Sequence, residues 1–405
     1  MEPENQLASA AAPTAIHAEP VLTPAPAEPT PPSQPPTEDE PYRSMSWIFV
    51  GPEGLRAGWS VFIFVCLTIL FMRVLGTVVF LFASRVLHIK TSGFTATSAI
   101  IGGLVEALSI LGAGAVAAFI ERRRILDYNL TGPRRPQHFL FGLAAGFLAL
   151  SALVGSLAAG GWLHFGPVAL SGTQIFTFAA LWSVAFFLTA LFEEGSFRCY
   201  LQFTFSRGVN FWWALGVVVA TCAFLAIFVG GTASWGVYAA ALVGFFPCLV
   251  LHQKAAPRSR EKAVLHGIQE PAPRSGGFWY AAWVTSTLFG FIHVSNPNEA
   301  WIGIFAAAFI GFVFCVSVRV TGSAWWAIGC HASWDWGETY FYGTADSGIS
   351  PQGSYLTSHP SGNILWSGGA VGPEGSLLVL AAILFLLFLV LVYGRLSARA
   401  ATTAA

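Results

Sequence analysis

The sequence predicts an all-α fold, a polytopic membrane helical bundle of about ten transmembrane helices, and three observations carry that prediction. Hydrophobic residues make up 55% of the 405-residue chain and charged residues only 10%, against about 25% charged in soluble domains. The mean hydropathy is positive. The apolar residues come in continuous blocks of about 20, the length that crosses ~30 Å of hydrocarbon at 1.5 Å per helical residue. A membrane barrel would show short alternating segments instead.

Residues 1–45 differ in kind. The stretch EPVLTPAPAEPTPPSQPPTEDEPYR is rich in Pro, Ala and acid and cannot bury enough apolar surface to fold, so it reads as a disordered tail. It has neither the basic nor the apolar region of a signal peptide. The first membrane helix is therefore expected to act as its own insertion signal. Residues 46–400 form the transmembrane helical domain, with spans at roughly 57–82, 98–120, 139–161, 174–205, 211–230, 235–253, 278–295, 300–319, 324–342 and 374–394.

The loops carry the orientation. ERRRILDYNLTGPRRPQH (121–138) and HQKAAPRSREKAV (252–264) are the strongest Lys/Arg clusters. With ten spans both fall on one side, together with SRG at 206–208, Arg319, Arg395 and Arg399. The positive-inside rule makes that side cytoplasmic, with both termini in, in a multi-pass protein of the cell membrane. Arg85 and Lys90 dissent weakly. The Gly/Ser/Pro-rich stretch 343–373 reads as an irregular extracytoplasmic loop. Zero net charge excludes a global basic surface for nucleic acid. The six cysteines lie in or beside apolar runs with no CxxC pair, and read as buried thiols.

Ionisable residues inside spans default to functional hypotheses, and three places show them at helical spacing. In LFEEGSFRCY (191–200), Glu194 and Arg198 are i,i+4 neighbours able to neutralise one another. Glu193 points about a third of a turn away and is left without a local cation. Such a carboxylate, poorly solvated, suits a general base. FGFIHVSN pairs Phe289 with His293 at i,i+4, with Asn296 just beyond. CHASWDW pairs His331 with Asp335 in the same way. One Glu, two His and an Asp from three spans suffice to bind and deprotonate a water and to stabilise an oxyanion.

Singly, each group has a plain structural reading: an interfacial histidine, a helix-bracing ion pair. Their joint occurrence in so apolar a chain is what favours a site. Arg73 and Glu106 read as snorkelling or helix-pairing residues, and Trp283, Trp301, Trp325 and Trp326 as an aromatic belt. In the ten-span order His293 falls near the outer end of its span and His331 nearer the inner end. Convergence then requires the span edges to slide by about one turn.

In order, these motifs resemble the CPBP (CAAX protease and bacteriocin-processing, or Abi) family of intramembrane peptidases, whose pattern is EExxxR, FxxxH and HxxxN/D. The surrounding TLFGFIH and TGSAWWAIGCHASWDW are similar too, and the resemblance covers about 175–340. It implies a core of about eight helices, with an inserted pair in 210–277. It also implies endopeptidase hydrolysis of a membrane-associated or lipidated peptide or protein within the lipid bilayer. Carried over, Glu193 activates water with support from Glu194 and Arg198, His293 helps hold the water, and His331 and Asp335 stabilise the oxyanion. Cys199 stands where the family usually has glycine. Asp335 is the acidic variant of a position often filled by Asn; it must be protonated, accept from His331, or ligate a metal.

Zinc would find a ligand set in Glu193, His293 and His331. No HExxH occurs, however, and the expectation is a metal-independent water with no cofactor. A non-catalytic transporter or scaffold that keeps these residues structurally is the alternative. The two readings part on geometry, because a general base must lie within a water's reach of its partners.

Overall fold

In the computed structural model the described residues are 46–51, 54–86, 93–265 and 275–403. The predicted tail, 1–45, lies outside them. Each predicted span meets a helix. These are α1 Ala57–Arg85, α2 Ala96–Ile120, α3 Arg135–Ala159, α4 Thr173–Gly208, α5 Phe211–Val229, α6 Ser234–Leu265, α7 Ser275–His293, α8 Trp301–Thr321, α9 Trp325–Trp336 and α10 Val379–Thr403. Among the described residues eight are long and apolar enough to cross a membrane. This is a multi-pass membrane bundle.

The two helices outside that group are α7, which carries polar residues, and α9, which is short. From Trp279 to Thr287 α7 is buried under α5, α6, α8 and the end of α4. A helix surrounded by protein can carry Thr285, Ser286 and Thr287, whose hydroxyls find partners within the bundle. The helix α9 is short in α form and continues as a π-helical turn, Gly337–Tyr342. At the other extreme, α1 buries only 6% of its most apolar window, against 67% for α8, so α1 faces lipid.

The most extensive helix pair is α3 with α9, and a GxxxG pair explains it. A Cβ on Gly142 would overlap the Trp326 carbonyl, and one on Gly146 the Cys330 carbonyl. Small residues let backbones close to this distance in membranes. Gly142→Leu is therefore expected to push α9 off α3 and to lower stability by about 1–3 kcal/mol. A fall in the thermal unfolding midpoint in detergent checks it.

Three of the predicted basic segments, 121–138, 206–208 and the one around Arg395, meet at one end of the bundle. Arg207 pairs with Glu121 at 3.1 Å, and Arg134 donates to the Ser397 carbonyl at 3.3 Å. Asn129 accepts from the Ala324 amide at 2.8 Å. At the opposite end the loop 343–373 is not wholly irregular. Its strand β2 (Leu356–Pro360) pairs antiparallel with β1 (Leu163–Val168), Leu163 opposite Pro360 and Val168 opposite Leu356. Each strand is only five or six residues and carries a Pro, which hides the alternation.

Two smaller expectations are corrected. Trp283 and Trp326 are buried rather than belted: the Trp283 indole donates to the Ala241 carbonyl at 2.9 Å and braces α7 on α6. Of the six free cysteines, Cys66 is exposed on α1, where lipid rather than protein surrounds a thiol.

Candidate active site

The long helix α4 stops being α-helical at the motif. After Glu194, residues Gly195–Leu201 form a π turn, with the Gln202 amide reaching back five residues to the Phe197 carbonyl. Such turns are frequent at functional sites. Within it the Arg198 Nε lies 3.1 Å from Glu194 Oε2, and both side chains are fully buried. The pairing expected from i,i+4 spacing is present. Burying two charges is tolerable only with compensation, and aromatic rings add to it. The guanidinium carbon sits 4.2 Å from the Phe289 ring centre and 5.4 Å from that of Phe314. Cation–π contacts strengthen where water is excluded. The Phe of FxxxH thus has a physical role that spacing alone did not reveal. Gly311 makes room for the pair, since a Cβ there would come to 2.7 Å from Arg198 Nη2.

Glu194 does a second thing that was not anticipated. Its Oε1 lies 2.8 Å from His331 Nδ1. A carboxylate paired with Arg198 accepts, so Nδ1–H donates and the imidazole is held with Nε2 toward the cavity. His293 is held alike, with its Nδ1 2.7 Å from the Phe289 carbonyl. Both imidazoles therefore present Nε2 for chemistry. His331 Nε2 is 3.4 Å from Asp335 Oδ2 and 3.9 Å from Glu193 Oε2. The latter oxygen is buried and has no hydrogen-bond partner.

Glu193, His293, His331 and Asp335 line one cavity of about 470 Å³, within the range of small-molecule and peptide sites. The depth mismatch resolves as a slide of the edges. Helix α7 begins three residues earlier than expected and ends at His293, and His331 sits mid-way along Trp325–Tyr342. His331 meets Phe289, one turn below His293, with ring centres 6.3 Å apart. Cys199 is a buried core residue, 3% exposed.

The zinc set is less well served. Among the described residues, Glu193, His293 and His331 do not form a group whose ligand atoms all lie within 4.8 Å of one another. The histidine Nδ1 atoms are engaged by Glu194 and Phe289, which leaves both Nε2 atoms available, the orientation in which metal-bound histidines are commonly held. The metal-independent water expected from the sequence is carried forward as a proposal.

Several cavity residues escaped the sequence reading. Glu106 of α2 lines it, as do Glu299, Asp346 and Glu374. Glu106 stood alone in an apolar run and looked like a helix-pairing residue; the others lie in loops, where acids are ordinary. Glu299 and Asp346 lie outside the spans, and burial pushes both carboxyls up to about 7, with the Glu374 charge adding to it. A carboxyl raised above its unfolded value favours the folded state while protonated. Thermal stability is therefore expected to fall as pH rises from about 4.5 to about 7 and to level off above. Glu299→Gln should flatten part of that slope.

The chain is thus a polytopic helical bundle with a Glu, His and Asp set on one cavity. Residues 263–337 match the family model described as Type II CAAX prenyl endopeptidase Rce1-like. That match contains the second and third motifs, bears out the CPBP resemblance there, and supports a membrane protease at the level of the family. No curated protein matches the chain, and no solved structure does.

Proposed function

We propose that this protein is an intramembrane endopeptidase that hydrolyses a peptide bond of a membrane-associated or lipidated peptide or protein. The observation that carries the reading is the unpartnered Glu193 Oε2 set 3.9 Å from His331 Nε2 in the shared cavity. That gap is too long for a direct hydrogen bond and is one a single water can bridge. Glu193 takes the water's proton as the hydroxide attacks the scissile carbonyl, and returns it to the leaving amine. His331, when protonated, has one N–H left after Nδ1–H goes to Glu194; that Nε2–H rests on Asp335 at 3.4 Å and turns to the developing oxyanion. Accepting from His331 is one of the options left open for an acidic residue here. His293 orients the water through Nε2. Glu194 and Arg198 position His331 without touching substrate. The chemistry requires no metal. The end bearing Glu121, Arg207 and Arg134 faces the cytoplasm of the cell membrane, by its charge.

Comparative proteomics of membrane peptides tests the reading. Cells carrying Glu193→Ala or His293→Ala should accumulate an uncleaved membrane-associated species that wild-type cells lack, at equal protein level. Identical peptide profiles would instead favour a non-catalytic membrane protein.

A further inference from the structure

Beyond the peptidase site, three carboxylates meet beside the cavity with no cation among the described residues paired to them. Glu338 stands on the π turn that continues α9, Asp346 on the loop that follows, and Glu374 on the short 3-10 turn before α10. One oxygen from each lies within 4.8 Å of the others. Two of the three are oriented by donors: Thr339 Oγ1 to Asp346 at 3.0 Å, and Trp334 Nε1 and Ser347 Oγ to Glu374 at 2.9 and 2.8 Å. Glu338 is different. It is fully buried, and the one donor beside it, the Trp334 indole, has its well-formed hydrogen bond to Glu374, so neither Glu338 oxygen keeps a bond of good geometry. None of the three forms an ion pair with a described residue. An unpaired buried carboxylate facing two more is costly unless a cation or protons complete the set.

We propose that Glu338, Asp346 and Glu374 form a binding site for a hard divalent cation of the calcium class, which fastens the 343–375 segment to the end of α9. The donor set is all oxygen, which suits calcium, magnesium or manganese rather than a thiophilic ion. Calcium–oxygen distances of about 2.3–2.6 Å allow ligand atoms on opposite sides of the ion to stand about 4.6–5.2 Å apart, so the spacing fits. Hydrogen bonds from Thr339, Ser347 and Trp334 supply the orienting shell that ligating carboxylates commonly have. Asp346 and Glu374 line the cavity and provide the entry path. The Glu338 backbone is itself pinned, its carbonyl accepting from the Gly343 and Thr344 amides. The ion thus ties three chain segments together one helical turn from Asp335. This site is independent of the peptidase reading.

The test uses the full-length protein in detergent, stripped with chelator and titrated with calcium alone. The unfolding midpoint should rise by about 5 °C at a hundredfold excess over Kd. Terbium should also give luminescence sensitised by Trp334. Glu338→Gln and Asp346→Asn should each abolish both responses, while Glu193→Gln should keep them. Should Glu338→Gln fail to fold, Asp346→Asn decides on its own. Absence of a midpoint shift with calcium, magnesium and manganese overturns the proposal and leaves protons as the balancing charge. Responses that persist in Asp346→Asn also overturn it, by placing the ion elsewhere.

Discussion

Glu193→Gln is expected to slow peptide cleavage by about 10²–10⁴-fold, the usual worth of a positioned general base, and to leave the fold intact. The substitution is nearly isosteric. It removes no ion pair stronger than the 3.9 Å approach to His331, and the carboxylate oxygen it alters has no hydrogen-bond partner to lose. Single-turnover cleavage in liposomes reads the chemical step, and the thermal unfolding midpoint should stay near that of the wild type. Turnover at the wild-type rate would remove Glu193 from the chemistry and the proposed mechanism with it.

Arg198→Met should behave in the opposite way. It strands the buried Glu194 carboxylate, which then has only His331 for a partner, and it removes the cation from the face of Phe289. Breaking one side of a buried pair costs about 3–5 kcal/mol, enough to lose most folded protein of ordinary stability. The double variant Arg198→Met with Glu194→Gln should recover much of that loss, since no uncompensated charge remains. Midpoints of the two singles and the double form the cycle that checks it. Additive losses would mean the two side chains do not act as a pair.

These two variants also show what the chain disclosed in advance. The i,i+4 spacing made the Glu194–Arg198 pair readable, because neighbours on one helix face need no knowledge of the fold. The same spacing placed His331 with Asp335. Contacts between helices were not readable in this way. Nothing local to Glu194 announces that its second oxygen binds His331, 137 positions later, or that Phe289 caps a guanidinium from another helix. The place of Glu106 on the cavity was unreadable for the same reason. The span positions were legible because lipid imposes apolarity, and protein around α7 lets it carry Thr285, Ser286 and Thr287. The GxxxG of Gly142 and Gly146 was a usable signal for the α3–α9 contact that went unread.

The π turn after Glu194 gives the motif a sensitivity to deletion. Such a turn accommodates one residue more than an α-helical turn, and each residue rotates a helix by about 100°. A relative lacking only the residue aligned with Cys199 would keep the complete EExxxR string. Yet everything beyond would be turned by roughly a quarter of a revolution. That would carry the Tyr200 hydroxyl away from the Ser60 carbonyl and Arg207 away from Glu121. Chain length between the motif and the end of α4 is therefore as informative about descent as the motif letters themselves.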